Sequence, residues 1–159
     1  MLTTQQTNAG GARALIRGAT PSDLPAIERL LTESALPLDG VRDALPNFLV
    51  AESGGVLVGV AGLEVCCEHA LLRSVAVAPA WRSKGLGREL VTRLIAQAES
   101  RRIHALYLLT TTAERYFPSF GFETVTRDDV PADVQGTDEF QSACPASATV
   151  MRRPLSHAS

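Results

Sequence analysis

The sequence predicts a single α/β domain built on one mixed β-sheet, and three observations carry that expectation. Its 159 residues match the size of one domain. A composition of 45% hydrophobic and 20% charged residues is that of a folded globular chain rather than a disordered one. Strand-like runs alternate with helix-like apolar stripes along the chain, an order that suits one central sheet with helices packed on it. The domain is expected over residues 13–153, with tails at 1–12 and 154–159; the first twelve residues are polar and glycine-containing, with neither the basic start nor the apolar stretch of a secretory signal.

Each element has a local reason. Ala14 to Ala19 reads as a strand. Thr20-Pro21-Ser22-Asp23 then offers a capping hydroxyl, a proline suited to the first helical turn and an early carboxylate, and Leu24, Ile27, Leu30 and Leu31 follow at helical spacing. Pro37 and Asp39-Gly40 close that helix, and Val41 to Leu45 allows one further turn. Phe48 to Ala51, a tight turn at Ser53-Gly54-Gly55, Val56 to Val65, a second turn at Cys67-Glu68 and Leu71 to Val77 make a three-strand meander. After Pro79, the positions Gly87, Leu90, Val91, Leu94, Ile95 and Ala98 form one helical stripe of about four turns. Ala105 to Leu109 is a strand. Thr111 with Glu114 has the spacing of a capping box, which predicts a short helix stopped at Gly121 and bent by Pro118. Phe122 to Thr126 and Ala148 to Arg152 are the last strands, separated by an irregular segment with one short turn.

Charge and cysteine usage exclude several function classes. A net charge of −2 removes the broad attraction expected of a nucleic-acid binder, so large polyanions are poor partners. No apolar run approaches the roughly 18 residues of a membrane span. Three cysteines without CxxC spacing fit a reducing, cytoplasmic setting better than a disulfide scaffold, and His69, His104 and His157 form no paired zinc-ligand motif.

The informative stretch runs from Leu72 to Arg88: a strand, a turn, Arg82-Ser83-Lys84-Gly85-Leu86-Gly87 and the start of a helix. Free backbone N–H groups and the positive dipole end at such a helix start make an anion cradle, and glycines admit close approach. Arg82, Lys84 and Arg88 add charge at its rim. Two phosphate loops are excluded by spacing. Leu90 stands where a dinucleotide fingerprint needs its third glycine, and no Gly-Lys-Ser/Thr triplet completes a triphosphate loop.

Together with Val75-Ala76-Val77-Ala78-Pro79 before the loop, and Phe117-Pro118-Ser119-Phe120-Gly121-Phe122 some thirty residues after it, this pattern resembles the GNAT superfamily of N-acetyltransferases from about Leu15 to Arg152. Within it, Leu71 to Val77, Tyr107 to Glu114 and Glu139 to Ala148 are similar to the small N-acetyltransferases associated with bacterial arsenic resistance, and Thr110-Thr111-Thr112-Ala113 also resembles the acetyltransferase part of N-acetylglutamate synthases. The resemblance implies a splayed central sheet flanked by helices, with acetyl-CoA as co-substrate in the cleft where the strands at Leu72–Val77 and Ala105–Leu109 part. Pantetheine would pair with the backbone of Val75 and Val77, pyrophosphate would rest on Ser83, Lys84, Gly85, Leu86, Gly87 and Arg88, and an N–H near Val75 would polarise the thioester carbonyl.

Catalytic residues follow less directly. The superfamily's usual base position falls near Leu71, which cannot serve. Glu64, across the hairpin from about residue 71, is the candidate base or water-positioning group, set against a solvated carboxylate at a strand end. Glu68 and His69 read as surface residues. The tyrosine that often protonates the CoA thiolate is replaced by Phe117, which then packs on pantetheine; Tyr116 beside it is the remaining candidate acid. Thr110 and Thr112 are hydrogen-bonding candidates for substrate and cofactor, whereas Thr111 is accounted for by capping. Arg73, charged within an apolar strand, needs a partner. Alternation groups it with Leu71 and Val75, and its fork suits either an acceptor's acid group or an internal acid such as Glu52 or Asp138. Cys66, Cys67 and Cys144 raise an arsenite site against ordinary packing of small apolar thiols.

The function implied is acetyl transfer to the primary amine of a small amino-acid-like acceptor, with no metal and with a homodimer as the frequent assembly. The alternatives are an N-acetylglutamate synthase activity and a non-catalytic module that binds acetyl-CoA or an arsenical.

Overall fold

The computed structural model describes residues 5–7, 13–111, 113–137, 140 and 148–155. Strands β1 (Gln5–Thr7), β2 (Arg13–Gly18), β3 (Phe48–Ser53), β4 (Val56–Cys66), β5 (His69–Val77), β6 (Ala105–Thr110), β7 (Glu123–Val125) and β8 (Thr149–Pro154) form one sheet in the order β1-β2-β3-β4-β5-β6-β8-β7. Every neighbouring pair is antiparallel except β5 with β6. That parallel pair needs a crossover, which α3 (Leu86–Ser100) supplies. The expected class, a mixed sheet flanked by helices, is the one observed.

Strand alternation sorts the core into two faces. On one face Leu90, Val91, Leu94 and Ala98 of α3 pack on Leu49, Ala51, Leu63 and Leu72. Gly59 on β4 makes the close approach possible, because a Cβ there would lie 3.1 Å from Leu90 and 3.3 Å from Leu86. On the other face α1 (Leu24–Glu33) and α2 (Val41–Ala44) cover Phe48, Val50, Val60 and Ala76. Further along that face α4 (Ala132–Gln135) brings Val134 onto Leu71, Tyr107 and Val150.

The entry to α1 is fixed by charge. A 3₁₀ turn at Pro21–Asp23 leads into the helix, and the Thr20 N–H donates to the Asp23 carboxylate at 2.7 Å. Arg17 holds both Asp23 oxygens, at 2.7 and 2.9 Å, and also Glu52 at 2.9 Å, tying β2, β3 and the helix start together. The guanidinium keeps the Asp23 carboxyl ionised down to a pKa of about 2. Glu52 is therefore engaged by Arg17 and is not the partner of Arg73.

Four local expectations are corrected. Gln5–Thr7, expected within a tail, pairs with Arg13–Leu15. The helix expected from Thr111 is reduced to turns and one 3₁₀ turn at Phe117–Phe120, where Pro118 sits in the first positions and needs no donor. Its cap is Thr110, not Thr111: the Ala113 N–H donates to Thr110 Oγ1 at 2.9 Å, while Thr111 is exposed. His69, expected at the surface, is half-buried, with Nδ1 3.0 Å from Asp133 of α4 and its ring edge-on to Tyr107. Glu68 is exposed as expected.

Phe48 lies directly across from Gly62, and its buried ring fills the space a Cβ at Gly62 would need. Gly62→Ala is therefore expected to lower stability by about 1–3 kcal/mol through overpacking, read as a lower midpoint in urea denaturation. An unchanged midpoint would mean that the Phe48 ring moves aside freely.

Candidate functional site

The site arises where the central sheet opens. Ladder pairing between β5 and β6 ends at Leu71 with Tyr107, although β5 continues to Val77 and β6 to Thr110. The cause is a bulge in β5. Arg73 lies opposite Gly62 and Ala76 opposite Val60, so Ser74 and Val75 together face Ala61, with Ser74 at a left-handed φ of 60°. The extra residue bends β5 away from β6.

The bulge also resets the alternation, which corrects the placement of Arg73 with Val75. Leu71 packs in the cluster beneath α4 and Ala76 in the one beneath α1, whereas Val75 and Val77 pack on the α3 side with Leu72. Arg73 and Val75 thus lie on opposite faces. Beyond the bulge, Ala78 donates its N–H to Val58 at 2.8 Å, so Val77 and, two residues earlier, Val75 turn their backbone polar groups the other way, into the gap.

A cavity of about 270 Å³ occupies this gap. Its walls are β5 from Leu72 to Val77, Leu108 to Thr110 of β6, Tyr116 and Phe117, and the end of α1 with Ser34, Leu36 and Pro37. A second cavity of about 330 Å³ adjoins it and is lined by Trp81, Ser83, Gly85, Gly87 and Arg88. Val77, Arg82 and Tyr116 line both. The second cavity lies at the N-terminus of α3, where Gly85 takes a φ of 87° as the capping residue. A Cβ at Gly87 would come within 3.4 Å of the Tyr116 hydroxyl and 3.5 Å of Val77, so its absence keeps this corner open. A concave backbone cradle at a helix start, joined to a strand whose Val75 and Val77 backbone groups face a gap rather than a neighbouring strand, fits a long ligand with an anionic middle and an amide-bearing arm.

Side chains at the cradle are already partly committed. Arg82 Nε donates to the Val77 carbonyl at 3.0 Å. Arg88 stacks over Phe120 at 4.5 Å and donates to Ser119 at 2.9 Å. Lys84 is exposed and lines neither cavity, and the Leu86 side chain is in the core, leaving only its backbone for the cradle. Burial raises the Tyr116 hydroxyl above its ordinary pKa, against a lowering by Arg88, so it stays protonated at neutral pH. Phe117 is buried in the cleft wall. Thr112 and Cys144 lie outside the described residues, as does Asp138.

Glu64 pairs with Leu71 across the hairpin, as the sequence implies. Its carboxylate accepts a hydrogen bond from Arg73 Nη1 at 2.9 Å and lines a third, smaller cavity with Asp43 and Asn47 rather than the main one. The Arg73 side chain is wholly buried, and its Nε donates to Ser74 Oγ at 3.0 Å. Glu64 is thus an internal acid partner of Arg73. Cys66 is half-buried with its thiol pushed up to about 12 by burial, then by Asp133 and Glu64, which suits packing better than thiolate chemistry; Cys67 is exposed. Sequence reasoning missed Ser74, Ser34 and the Leu36-Pro37 wall. A bulge has no signature in a strand of ordinary residues, and the return of the α1 end to the cleft is a tertiary fact.

A model of the acetyltransferase (GNAT) family matches residues 14–122. An amino-acid acetyltransferase of Mycobacterium tuberculosis is 32% identical over 132 residues, covering 77% of this chain and 75% of that protein. One from Neisseria meningitidis is 31% identical over 125 residues, covering 73% of this chain. The chain spans only 29% of the length of that relative and of its counterpart in Aeromonas salmonicida. Among solved structures, a Mycobacterium tuberculosis protein in complex with CoA superposes with a TM-score of 0.73 at 26% identity, covering 89% of this chain and 99% of its own. N-acetylglutamate synthase of Neisseria gonorrhoeae, complexed with coenzyme A and N-acetyl-glutamate, shares the fold with a TM-score of 0.77 at 24% identity over 91% of this chain and 35% of its own.

The Arg73–Glu64 pair gives the site a structural test. Removing the carboxylate in Glu64→Ala takes away the Nη1 acceptor of a buried guanidinium and is expected to cost about 3 kcal/mol, the low end for breaking a buried pair. Chemical denaturation measures it. A change within about 0.5 kcal/mol, as for an exposed residue, would return Glu64 to the role of a solvated carboxylate.

Proposed function

We propose, on the premise that the chain belongs to the acetyltransferase (GNAT) family, that it moves the acetyl group of acetyl-CoA to the primary amine of a small acceptor of amino-acid size bearing an acid group. The observation that carries this reading is the union of two features: backbone groups of Val75 and Val77 turned into a gap in the sheet, and the glycine-lined start of α3 at the end of that gap. The names of the relatives support an amino acid as acceptor. Phosphinate and arsenic oxyanion analogues of amino acids fall in the same class, the form in which the resemblance to arsenic-resistance acetyltransferases enters the proposal.

Acetyl-CoA supplies the activated acetyl group as a thioester. Val75 and Val77 bind the pantetheine arm as an added strand, and the Val75 N–H withdraws charge from the thioester carbonyl. The backbone from Ser83 to Arg88 receives the pyrophosphate, with Arg82 exchanging its bond to the Val77 carbonyl for an anionic partner and Lys84 contributing charge from the rim. Phe117 packs on the arm. Tyr116, kept protonated, donates to the departing thiolate. Arg73 and Thr110 border the acceptor. Glu64, bonded to Arg73, takes the amine's proton through intervening water.

Two linked measurements test the reading. Acetyl-CoA at a hundredfold excess over its Kd should stabilise the fold by about 2.7 kcal/mol, seen as a higher Tm, and mixing with amino acids should release free CoA thiol. Gly87→Leu keeps a helix-compatible residue but projects a side chain into the second cavity and blocks backbone approach at the helix start, so it should abolish both effects. A normal acetyl-CoA shift in Gly87→Leu would overturn the cradle assignment, and thiol release with none of a full amino-acid panel would overturn the acceptor.

A further inference from the structure

Ser34 ends α1 in a turn that satisfies its own backbone. Its N–H reaches the Leu30 and Leu31 carbonyls at 3.1 Å, Ala35 donates to Thr32 at 3.1 Å, and Leu36 donates to Leu31 at 2.9 Å. The Ser34 hydroxyl is different. Its oxygen is shut off from solvent and has no hydrogen-bond partner among the described residues, yet Ser34 belongs to the wall of the main cavity. A buried hydroxyl without a partner is unfavourable, so one retained at a cavity wall points to a ligand that completes it. On the β5 side of the same cavity, Ser74 Oγ accepts from Arg73 Nε, which directs the hydroxyl hydrogen elsewhere.

We propose that Ser34 is a specificity-determining residue whose hydroxyl donates to the acid group of the acceptor, with Ser74 as the second donor to the same group. The inference rests on the acceptor class proposed above. Its logic is positional. The acceptor amine must reach the thioester at Val75, and Ser34 comes from α1 on the opposite face of β5, so it meets the end of the acceptor remote from the amine. Two hydroxyl donors suit the oxygens of a carboxylate, phosphinate or arsenic oxyanion. The Arg73–Glu64 pair then acts as a positioning group that orients Ser74, rather than as the sole anion contact.

The test compares each acetylated L-amino acid with its α-carboxamide, using thiol release at saturating acetyl-CoA, in wild type, Ser34→Ala and Ser34→Thr. Ser34→Ala is expected to lower kcat/KM for the amino acid about tenfold, through KM of the acceptor. KM for acetyl-CoA should stay unchanged, and the preference over the carboxamide should shrink by the same factor. Ser34→Thr keeps the hydroxyl and should hold the wild-type preference. If Ser34→Ala does not fold, Ser34→Cys replaces it as a near-isosteric weak donor. An unchanged preference in the hydroxyl-free variant, or equal loss in Ser34→Thr, overturns the assignment of Ser34 alone. Transfer to no amino acid by wild type overturns the acceptor reading and this inference with it.

Discussion

The cleft depends on one local constraint, the extra residue that β5 accommodates at Ser74. A left-handed conformation at a residue other than glycine is unfavourable by about 1–3 kcal/mol, and the structure surrounds it with interactions that hold it in place. Arg73 is wholly buried, with Nη1 on Glu64 and Nε on Ser74 Oγ, so one guanidinium ties β4 to the bulged residue. Ala61 opposite and the Phe48 ring against Gly62 fill the neighbouring space. Without the bulge, β5 would continue beside β6 past Tyr107, and there would be no gap.

The rest of the site follows from that departure. Once β5 and β6 part, Val75 and Val77 carry polar backbone groups that no strand satisfies, and α3 begins at Leu86 after a loop and 3₁₀ turn that follow the strand end at Val77. The same chain segment therefore furnishes both an edge for an extended arm and a helix start for an anion. Tyr116 stands where the two cavities meet, its hydroxyl pushed above its ordinary pKa by partial burial. On the far face, the closing turn of α1 returns Ser34, Leu36 and Pro37 to the cleft. The main cavity is thus walled by residues from opposite faces of one sheet.

Much of this was legible in the sequence because it rests on local chemistry. The capping residues at Thr20–Asp23, the glycine pair closing β3 to β4, and the stripe on α3 each encode an element without tertiary help. The Arg82 to Gly87 loop was legible for the same reason. Strict alternation failed at Ser74, where it grouped Arg73 with Val75, because a bulge shifts every later side chain to the other face while leaving composition untouched. Glu64 as a partner of Arg73 was missed for a related reason: it is nine residues away in sequence but diagonal to Arg73 across the hairpin, reachable only once the register is known. The capping role assigned to Thr111 moved by one residue to Thr110, whose Oγ1 accepts the Ala113 N–H.

Amide hydrogen exchange tests the central claim most directly, because the account assigns the Val75 and Val77 N–H groups to the open gap and the Ser83–Gly87 amides to the cradle. Exchange measured residue by residue, with and without acetyl-CoA, should show these amides unprotected or weakly protected alone and strongly slowed with the ligand. Ala76 and Ala78, which face β4, should be protected in both states. Protection of Val75 and Val77 in the free protein equal to that of Ala76, or binding of acetyl-CoA that leaves both unchanged, would contradict the open edge at β5.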